Sequence, residues 1–141
     1  WRRRLAQRGE GPLEEGLKQQ ARDKEVARLL SFKGSSSDIP KILADYEYLI
    51  QPTYMECFSL SILESLSANV PVITTTVGGN PEIIKEGVNG FLFQPKNKRA
   101  LATIIEEVVN GGRKITEDTS ALIEKEYSLD RMVAEHIILL E

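Results

Sequence analysis

The sequence predicts an α/β fold, an open parallel Rossmann-like sheet with helices on both faces. Short apolar and β-branched segments alternate along the chain with segments whose apolar residues recur at helical spacing. The loops that contain Glu56 and Gly78-Gly79 each follow a predicted strand. Strands joined through helices make right-handed crossovers and run parallel, so both loops are expected at the carboxyl edge of the sheet, where ligands bind.

Length and composition predict one domain over residues 1–141. A hydrophobic content of 41% is enough for a single core, and the net charge of −3 argues against a general nucleic-acid binder. No segment approaches the roughly 18 apolar residues of a membrane span, and Cys57 is the single cysteine, which excludes an internal disulfide. We therefore expect a cytoplasmic protein. Because the chain opens at Trp1 instead of Met, we also expect a piece of a larger protein.

The first third of the chain predicts two helices and two strands. A turn at residues 9–12 precedes apolar residues at helical spacing, which predict a helix over residues 13–21. Residues 26–32 are apolar enough for a buried strand, and residues 39–44 follow a serine-rich loop as a short helix. Residues 48–52 are the next strand, which ends at a proline because proline cannot donate to a ladder.

The middle of the chain predicts a helix, a strand and a second short helix. Residues 60–68 carry an apolar stripe suited to packing on a sheet, and residues 70–75 are β-branched enough for a strand. Gly78-Gly79 then allows a sharp turn, and Asn80 is a candidate helix cap. A short helix is expected over residues 83–86.

The last third predicts one strand and then helices. Asn89-Gly90 introduces a compact apolar strand at residues 91–93. Apolar residues from Leu101 to Val109 form a helical stripe that ends at Gly111-Gly112. Residues 118–140 are predicted to be helical.

The glutamate pair Glu56 and Glu64 is the most informative feature for function. Glu56 precedes a predicted helix and Glu64 lies about one turn inside it, so a helix that begins near Ser59 directs free backbone N–H groups between the two carboxylates. Such amides suit a phosphate, while carboxylates accept hydrogen bonds from sugar or ribose hydroxyls. The pair therefore indicates a phosphorylated polyol, such as a nucleotide sugar.

Several motifs occur together in the order of a known family. The chain resembles the retaining glycosyltransferases of family four, specifically the C-terminal, donor-binding half of the GT-B fold, which is built from two Rossmann-like domains. The similarity runs from about residue 9 to residue 93. Its motifs are Gly9-Glu10-Gly11-Pro12, Pro52-Thr53, the glutamate pair with Phe58 between, residues 68–73, Gly78-Gly79-Asn80-Pro81-Glu82 and Gly87-Val88-Asn89-Gly90.

The resemblance implies a role for each residue of the candidate site. Glu56 would be the catalytic residue that contacts hydroxyls of the transferred sugar, and Glu64 would hold the ribose of the nucleotide. Gly78 and Gly79 would lie beside the sugar, and residues 30–32 would line the base. The residues implied to bind the donor are Glu56, Phe58, Ser59, Leu60, Ser61, Glu64, Gly78 and Gly79.

The resemblance also implies an activity and its partners. A sugar would pass from a nucleotide diphosphate sugar to a glycan or lipid acceptor with retention of configuration, and the protein would stabilise the charge of the leaving phosphate. The implied chemistry uses no cofactor or metal, and the sequence has no Cys/His cluster for one. An absent N-terminal domain would bind the acceptor, so this chain alone is expected to be inactive. Peripheral association of the full-length protein with a membrane is a further expectation.

Three features depart from the family pattern. The Arg and Lys that grip the diphosphate in the family lie upstream of the glycine-rich turn, and no motif assigns the arginines of residues 2–8 to that role. Cys57 and Ser59 stand where the family often has glycine, so their side chains are expected to narrow the space around the sugar. Residues 1–8 would be an apolar strand, although they are rich in arginine.

Other interpretations stay open. Glu64 could complete a capping box with Ser61, and Gly78-Gly79 could serve only the turn. A nucleophilic role for Cys57 is disfavoured because the sequence shows no general base beside it. Two alternative functions are a non-catalytic nucleotide- or protein-binding module on the same fold and a nucleotide-sugar epimerase.

Overall fold

The computed structural model describes residues 5–140, without the side chains of residues 40, 139 and 140. The chain divides into two compact units, of which the first ends at Asp38 and the second begins at Ile39. The first unit contains strand β1 (Leu5–Gln7), helix α1 (Glu14–Asp23) and strand β2 (Leu30–Phe32). The two strands pair in parallel, so the predicted helix and parallel crossover are confirmed there. The single-domain prediction for residues 1–141 stays a prediction.

The buried strand predicted over residues 26–32 is partly wrong. Ala27–Leu29 is a 3-10 turn in which the Leu29 amide donates to the Val26 carbonyl, and only Leu30–Phe32 is extended. These three strand residues are half-buried instead of buried. A two-stranded sheet covers little surface, which is the physical reason for the exposure. The strand implied over residues 1–8 is present at Leu5–Gln7, and residues 1–4 lie outside the described part of the chain.

The second unit is built on a three-stranded parallel sheet. It comprises helix α2 (Ile39–Leu43), strand β3 (Leu49–Gln51), helix α3 (Leu60–Ser67), strand β4 (Val72–Thr75), helix α4 (Asn80–Ile83), strand β5 (Gly90–Phe93), helix α5 (Lys98–Val109), helix α6 (Thr119–Tyr127) and helix α7 (Leu129–Leu140). The strands lie in the order β3-β4-β5. All pairs are parallel, which confirms the predicted α/β class.

Successive residues of β4 point to opposite faces of the sheet, and each face has its own core. Val72 packs in a cluster with residues of α3, α4 and α6, whereas Ile73 packs in a second cluster with Ile104 of α5. Helices therefore cover both faces, as the sequence predicts. No helix in residues 5–140 combines the length and the apolarity that a membrane span needs.

Two helix boundaries differ from the prediction. The helix expected over residues 83–86 is wrong, because α4 ends at Ile83 and Glu86 pairs with Gly90 instead. Beyond Ile83 the side chain of Asn89 accepts a hydrogen bond from the Lys85 amide at 2.8 Å, which holds the chain out of a helix. The helical segment predicted over residues 118–140 breaks at Ser128, whose backbone is extended and separates α6 from α7.

Candidate functional site

The loop between β3 and α3, which we call the glutamate loop, covers residues 52–59 and carries Glu56. It ends at Ser59, the N-cap residue of α3, whose hydroxyl accepts a hydrogen bond from the Ile62 amide at 3.4 Å. The same hydroxyl donates to the side-chain oxygen of Gln51 at 3.1 Å. The first turn of a helix has no internal acceptors for its amides, so those of Leu60 and Ser61 stay available for an anion.

The position of Ser59 corrects two expectations. Its side chain is only 3% exposed and bonds to the end of β3, so it does not narrow an external sugar pocket. A capping box of Ser61 with Glu64 is also wrong, because Ser59 is the N-cap and Glu64 then lies beyond the third helical position that such a box requires. Cys57 is exposed, so the expectation that its side chain narrows the space around the sugar stays a prediction.

Replacing Ser59 with alanine is expected to lower the free energy of unfolding by about 1–2 kcal/mol, because the cap of α3 and a buried hydrogen bond are lost together. Ser61→Ala is the matched control, since Ser61 is exposed and does not cap, and its cost is expected below about 0.5 kcal/mol. Urea unfolding of both variants measures the difference. Equal costs would show that Ser59 is not the cap.

The glycine loop, residues 76–79, meets the glutamate loop directly. The amide of Gly79 donates to the carbonyl of Cys57 at 2.8 Å. Gly78 has a left-handed φ of +52°, and a Cβ there would collide with the carbonyl oxygen of Glu56. A Cβ at Gly79 would lie 2.6 Å from the carbonyl oxygen of Cys57. Only glycine permits this approach, and the predicted meeting of the two loops at one edge of the sheet is confirmed.

A buried polar network lies at the carboxyl ends of β3 and β4, where the two loops begin. The Thr74 hydroxyl donates to the Gln51 carbonyl at 2.9 Å, and the Thr75 hydroxyl donates to the Thr53 carbonyl at 2.7 Å. The fully buried Asn80 side chain donates to the Thr74 hydroxyl and to the Thr75 carbonyl, each at 3.1 Å. The expected capping role of Asn80 is wrong, because Gly79 is the N-cap of α4 and the side-chain oxygen of Asn80 accepts no hydrogen bond from the helix. These bonds hold the carboxyl ends of β3 and β4 together.

The two glutamates occupy different surroundings. Glu56 is half-buried, and its carboxylate accepts a hydrogen bond from the Cys57 amide at 3.1 Å. Glu64 is exposed and lines a groove of about 550 Å³ between α2 and α3. Leu60 lines the same groove, whereas Glu56, Phe58 and the two glycines meet at the loops. The complete lining is Lys41, Ala44, Leu60, Leu63, Glu64, Ser67 and Ala68.

The sequence analysis did not identify all the residues that line this groove. Lys41 and Ala44 belong to the region of the correctly predicted helix α2, but the sequence does not say which helix would pack beside it. Residues 30–32, which the resemblance places at the base, belong to the first unit and are half-buried there. Within residues 5–140 no three His, Cys, Asp or Glu side chains lie close enough together to hold a metal ion.

Comparison with known proteins decides the family. Residues 3–128 match the family model described as glycosyl transferases group 1. The chain belongs to the group 1 glycosyltransferases. Among curated relatives of this glycosyltransferase domain, sucrose synthase of Thermosynechococcus vestitus is 39% identical over 74 residues, which are 52% of this chain and 9% of the relative. An uncharacterized glycosyltransferase of Methanocaldococcus jannaschii is 30% identical over 70% of this chain and 26% of the relative.

Solved structures share the fold of this glycosyltransferase domain. The Anabaena protein HepE in complex with UDP has a TM-score of 0.84 and 24% identity, covering 96% of this chain and 40% of that one. The C-terminal domain of a group 1 glycosyltransferase from Francisella tularensis has a TM-score of 0.73 and 24% identity, covering 83% and 63%. The chain thus has the Rossmann-like architecture of a GT-B glycosyltransferase half, and it spans well under half the length of the curated relatives.

Proposed function

We propose that this chain is the donor-binding domain of a family-four retaining glycosyltransferase, which transfers a sugar from a nucleotide diphosphate sugar to a glycan or lipid acceptor. The observation that carries the proposal is the contact of the glutamate loop with the glycine loop beside the first turn of α3. Membership of the group 1 glycosyltransferases supports the reaction class. Structures of the fold neighbour HepE with UDP and with UDP-glucose support the class of donor.

The diphosphate would bind at the first turn of α3. The amides of residues 58–61 lie where the glutamate loop becomes the helix, and those of Leu60 and Ser61 have no acceptor within the helix. The positive end of the helix dipole adds to their attraction for an anion. This end of α3 would stabilise charge that develops on the leaving phosphate.

The two glutamates would divide the hydroxyl groups of the donor between them. Glu64, exposed in the groove beside α2, would accept hydrogen bonds from the ribose. Glu56 would contact hydroxyls of the transferred sugar, in the position that its loop takes by packing directly against Gly78 and Gly79. Reaction without a metal or other cofactor belongs to the same proposal, since the α3 amides would neutralise the phosphate.

The acceptor would be held by a part of the full-length protein outside this chain. The chain covers 40% of HepE, and the sugar would have to be presented to an acceptor from the remaining part of such an architecture. A cytoplasmic location with peripheral attachment to the membrane face would suit a lipid acceptor. Sugar transfer therefore has to be measured on the full-length protein, whereas donor binding can be measured on this chain directly.

Calorimetric titration with UDP and UDP-glucose tests the proposal. Glu64→Ala is expected to weaken UDP binding by about tenfold or more, because hydrogen bonds from the ribose to a charged acceptor are lost. Glu106→Ala is the matched control, since Glu106 is also an exposed helical glutamate, on α5 across the sheet. Unchanged UDP affinity in Glu64→Ala would refute the ribose role, and no binding of any nucleoside diphosphate by the wild type would refute the proposal for this chain.

A further inference from the structure

Tyr127, the last residue of α6, contacts the glutamate loop and the helix that follows the glycine loop. Its ring lies 5.9 Å from the ring of Phe58 in the glutamate loop, with the ring planes tilted by 54°. Its hydroxyl donates to the carbonyl of Glu82 in α4 at 3.2 Å. Helix α4 begins directly after Gly79, so this one side chain links the glutamate loop and helix α4 to α6.

Tyr127 gives Phe58 a packing partner and gives the Glu82 carbonyl a hydrogen-bond donor. Phe58 is 44% exposed, and Tyr127 covers part of a ring that would otherwise face solvent. Helix α4 is a single turn whose carbonyls have few internal donors, and the Tyr127 hydroxyl satisfies one of them. Burial, together with the carboxylates of Glu126 and Glu82, raises the pKa of the Tyr127 hydroxyl, so this group remains protonated above the usual range of tyrosine.

Helix α6 is anchored to the sheet without Tyr127. Ile123 is 7% exposed within the core cluster that contains α3 and β4. At the start of α6 the Thr119 hydroxyl donates to the Leu66 carbonyl at 2.8 Å. The helix is therefore held at its first turn and its middle, and the contacts of its last residue are with Phe58 of the glutamate loop and Glu82 of α4.

We infer that Tyr127 is a positioning residue of the donor site, which holds the Phe58 segment and the start of α4 in the relative arrangement that the donor requires. The expected effect of Tyr127 on donor affinity rests on the proposed function. The phenyl ring of Phe58 also lies 3.3 Å from where a Cβ of Gly79 would be, so a shift of that ring would disturb the contact between the loops. Tyr127 would act through Phe58 and Glu82 without touching the donor.

Hydrogen exchange of three variants, combined with UDP titration, tests this role. Tyr127→Phe keeps the ring and loses the hydroxyl, so amide exchange is expected to rise by about 2- to 10-fold in residues 79–84 alone. Tyr127→Leu loses both contacts, so exchange is expected to rise in residues 56–61 as well, and UDP affinity is expected to fall by about 3- to 10-fold. Tyr48→Phe is the matched control, because Tyr48 also stacks on a phenylalanine and accepts a hydrogen bond from the Ile115 amide, within the other core cluster.

The outcomes separate a positioning role from a merely structural one. Faster exchange confined to residues 56–61 and 79–84, and absent in Tyr48→Phe, supports the inference. A uniform rise across all peptides that matches the loss of global stability overturns it, as does unchanged UDP affinity in Tyr127→Leu. If the wild type binds no nucleoside diphosphate, the proposed function fails for this chain, and the exchange pattern alone then decides whether Tyr127 holds the glutamate loop and α4.

Discussion

Replacing Gly78 with alanine is expected to cost about 3–5 kcal/mol of folding free energy and to abolish UDP binding. The left-handed φ of +52° at this position is unfavourable for any residue with a Cβ. The larger part of the cost comes from the collision of that Cβ with the carbonyl oxygen of Glu56, which forces the two loops apart. Denaturant unfolding measures the stability, and calorimetry measures the binding.

Gly87→Ala is the control that isolates the backbone cost. Gly87 also has a left-handed φ, of +76°, but a Cβ there would meet no atom within 4 Å. Its substitution is therefore expected to cost about 1–2 kcal/mol, from the conformational preference alone. If Gly78→Ala proved no more costly than Gly87→Ala, the two loops would not be in contact, and the main support for the candidate site would be lost.

Truncation of Leu66 to alanine is expected to lower the free energy of unfolding by about 3–5 kcal/mol. Leu66 is fully buried between α3 and β4, where it packs in the same cluster as Ile62, Val72 and Ile83. Removing its side chain opens a cavity in a core that three helices share. The change in the urea midpoint at constant m-value gives the loss.

Leu60→Ala is the matched control for Leu66, because it makes the same truncation in the same helix. Leu60 is 71% exposed in the groove beside Glu64, so its loss is expected to change stability by less than about 0.5 kcal/mol. The pair reports which face of α3 is turned outward. Similar losses in the two variants would place α3 in a different rotation, and Glu64 would then no longer face the groove.

The order of the elements and the meeting of the two loops were predictable from the chain because they follow from periodicity and chirality. The β-branched residues of β4 and the helical stripe of α5 identify their own conformations. Right-handed crossovers then bring the ends of β3 and β4 to one edge, which is why Glu56 and Gly78 could be expected together.

The placement of individual polar side chains was not predictable in the same way. Asn80 is a residue type that often caps helices, but Gly79 takes the N-cap position, and two buried acceptors on β4 fix the orientation of the Asn80 side chain. Ser59 looks like an obstruction beside a sugar, whereas the neighbouring Gln51 draws its hydroxyl inward. In both residues the choice depends on a partner from a strand end that only folding brings near.

Periodicity and chain topology were enough to predict the α/β class, the three strands and most helices of the second unit, and the two loops that contain the candidate site, because these features depend on residues close together in the chain. Folding was needed to establish that Glu64 faces a groove beside α2 and that Tyr127 joins Phe58 to Glu82. Each of these depends on packing between segments distant in the chain, where geometry and competing hydrogen-bond partners select one arrangement from several that the local sequence allows.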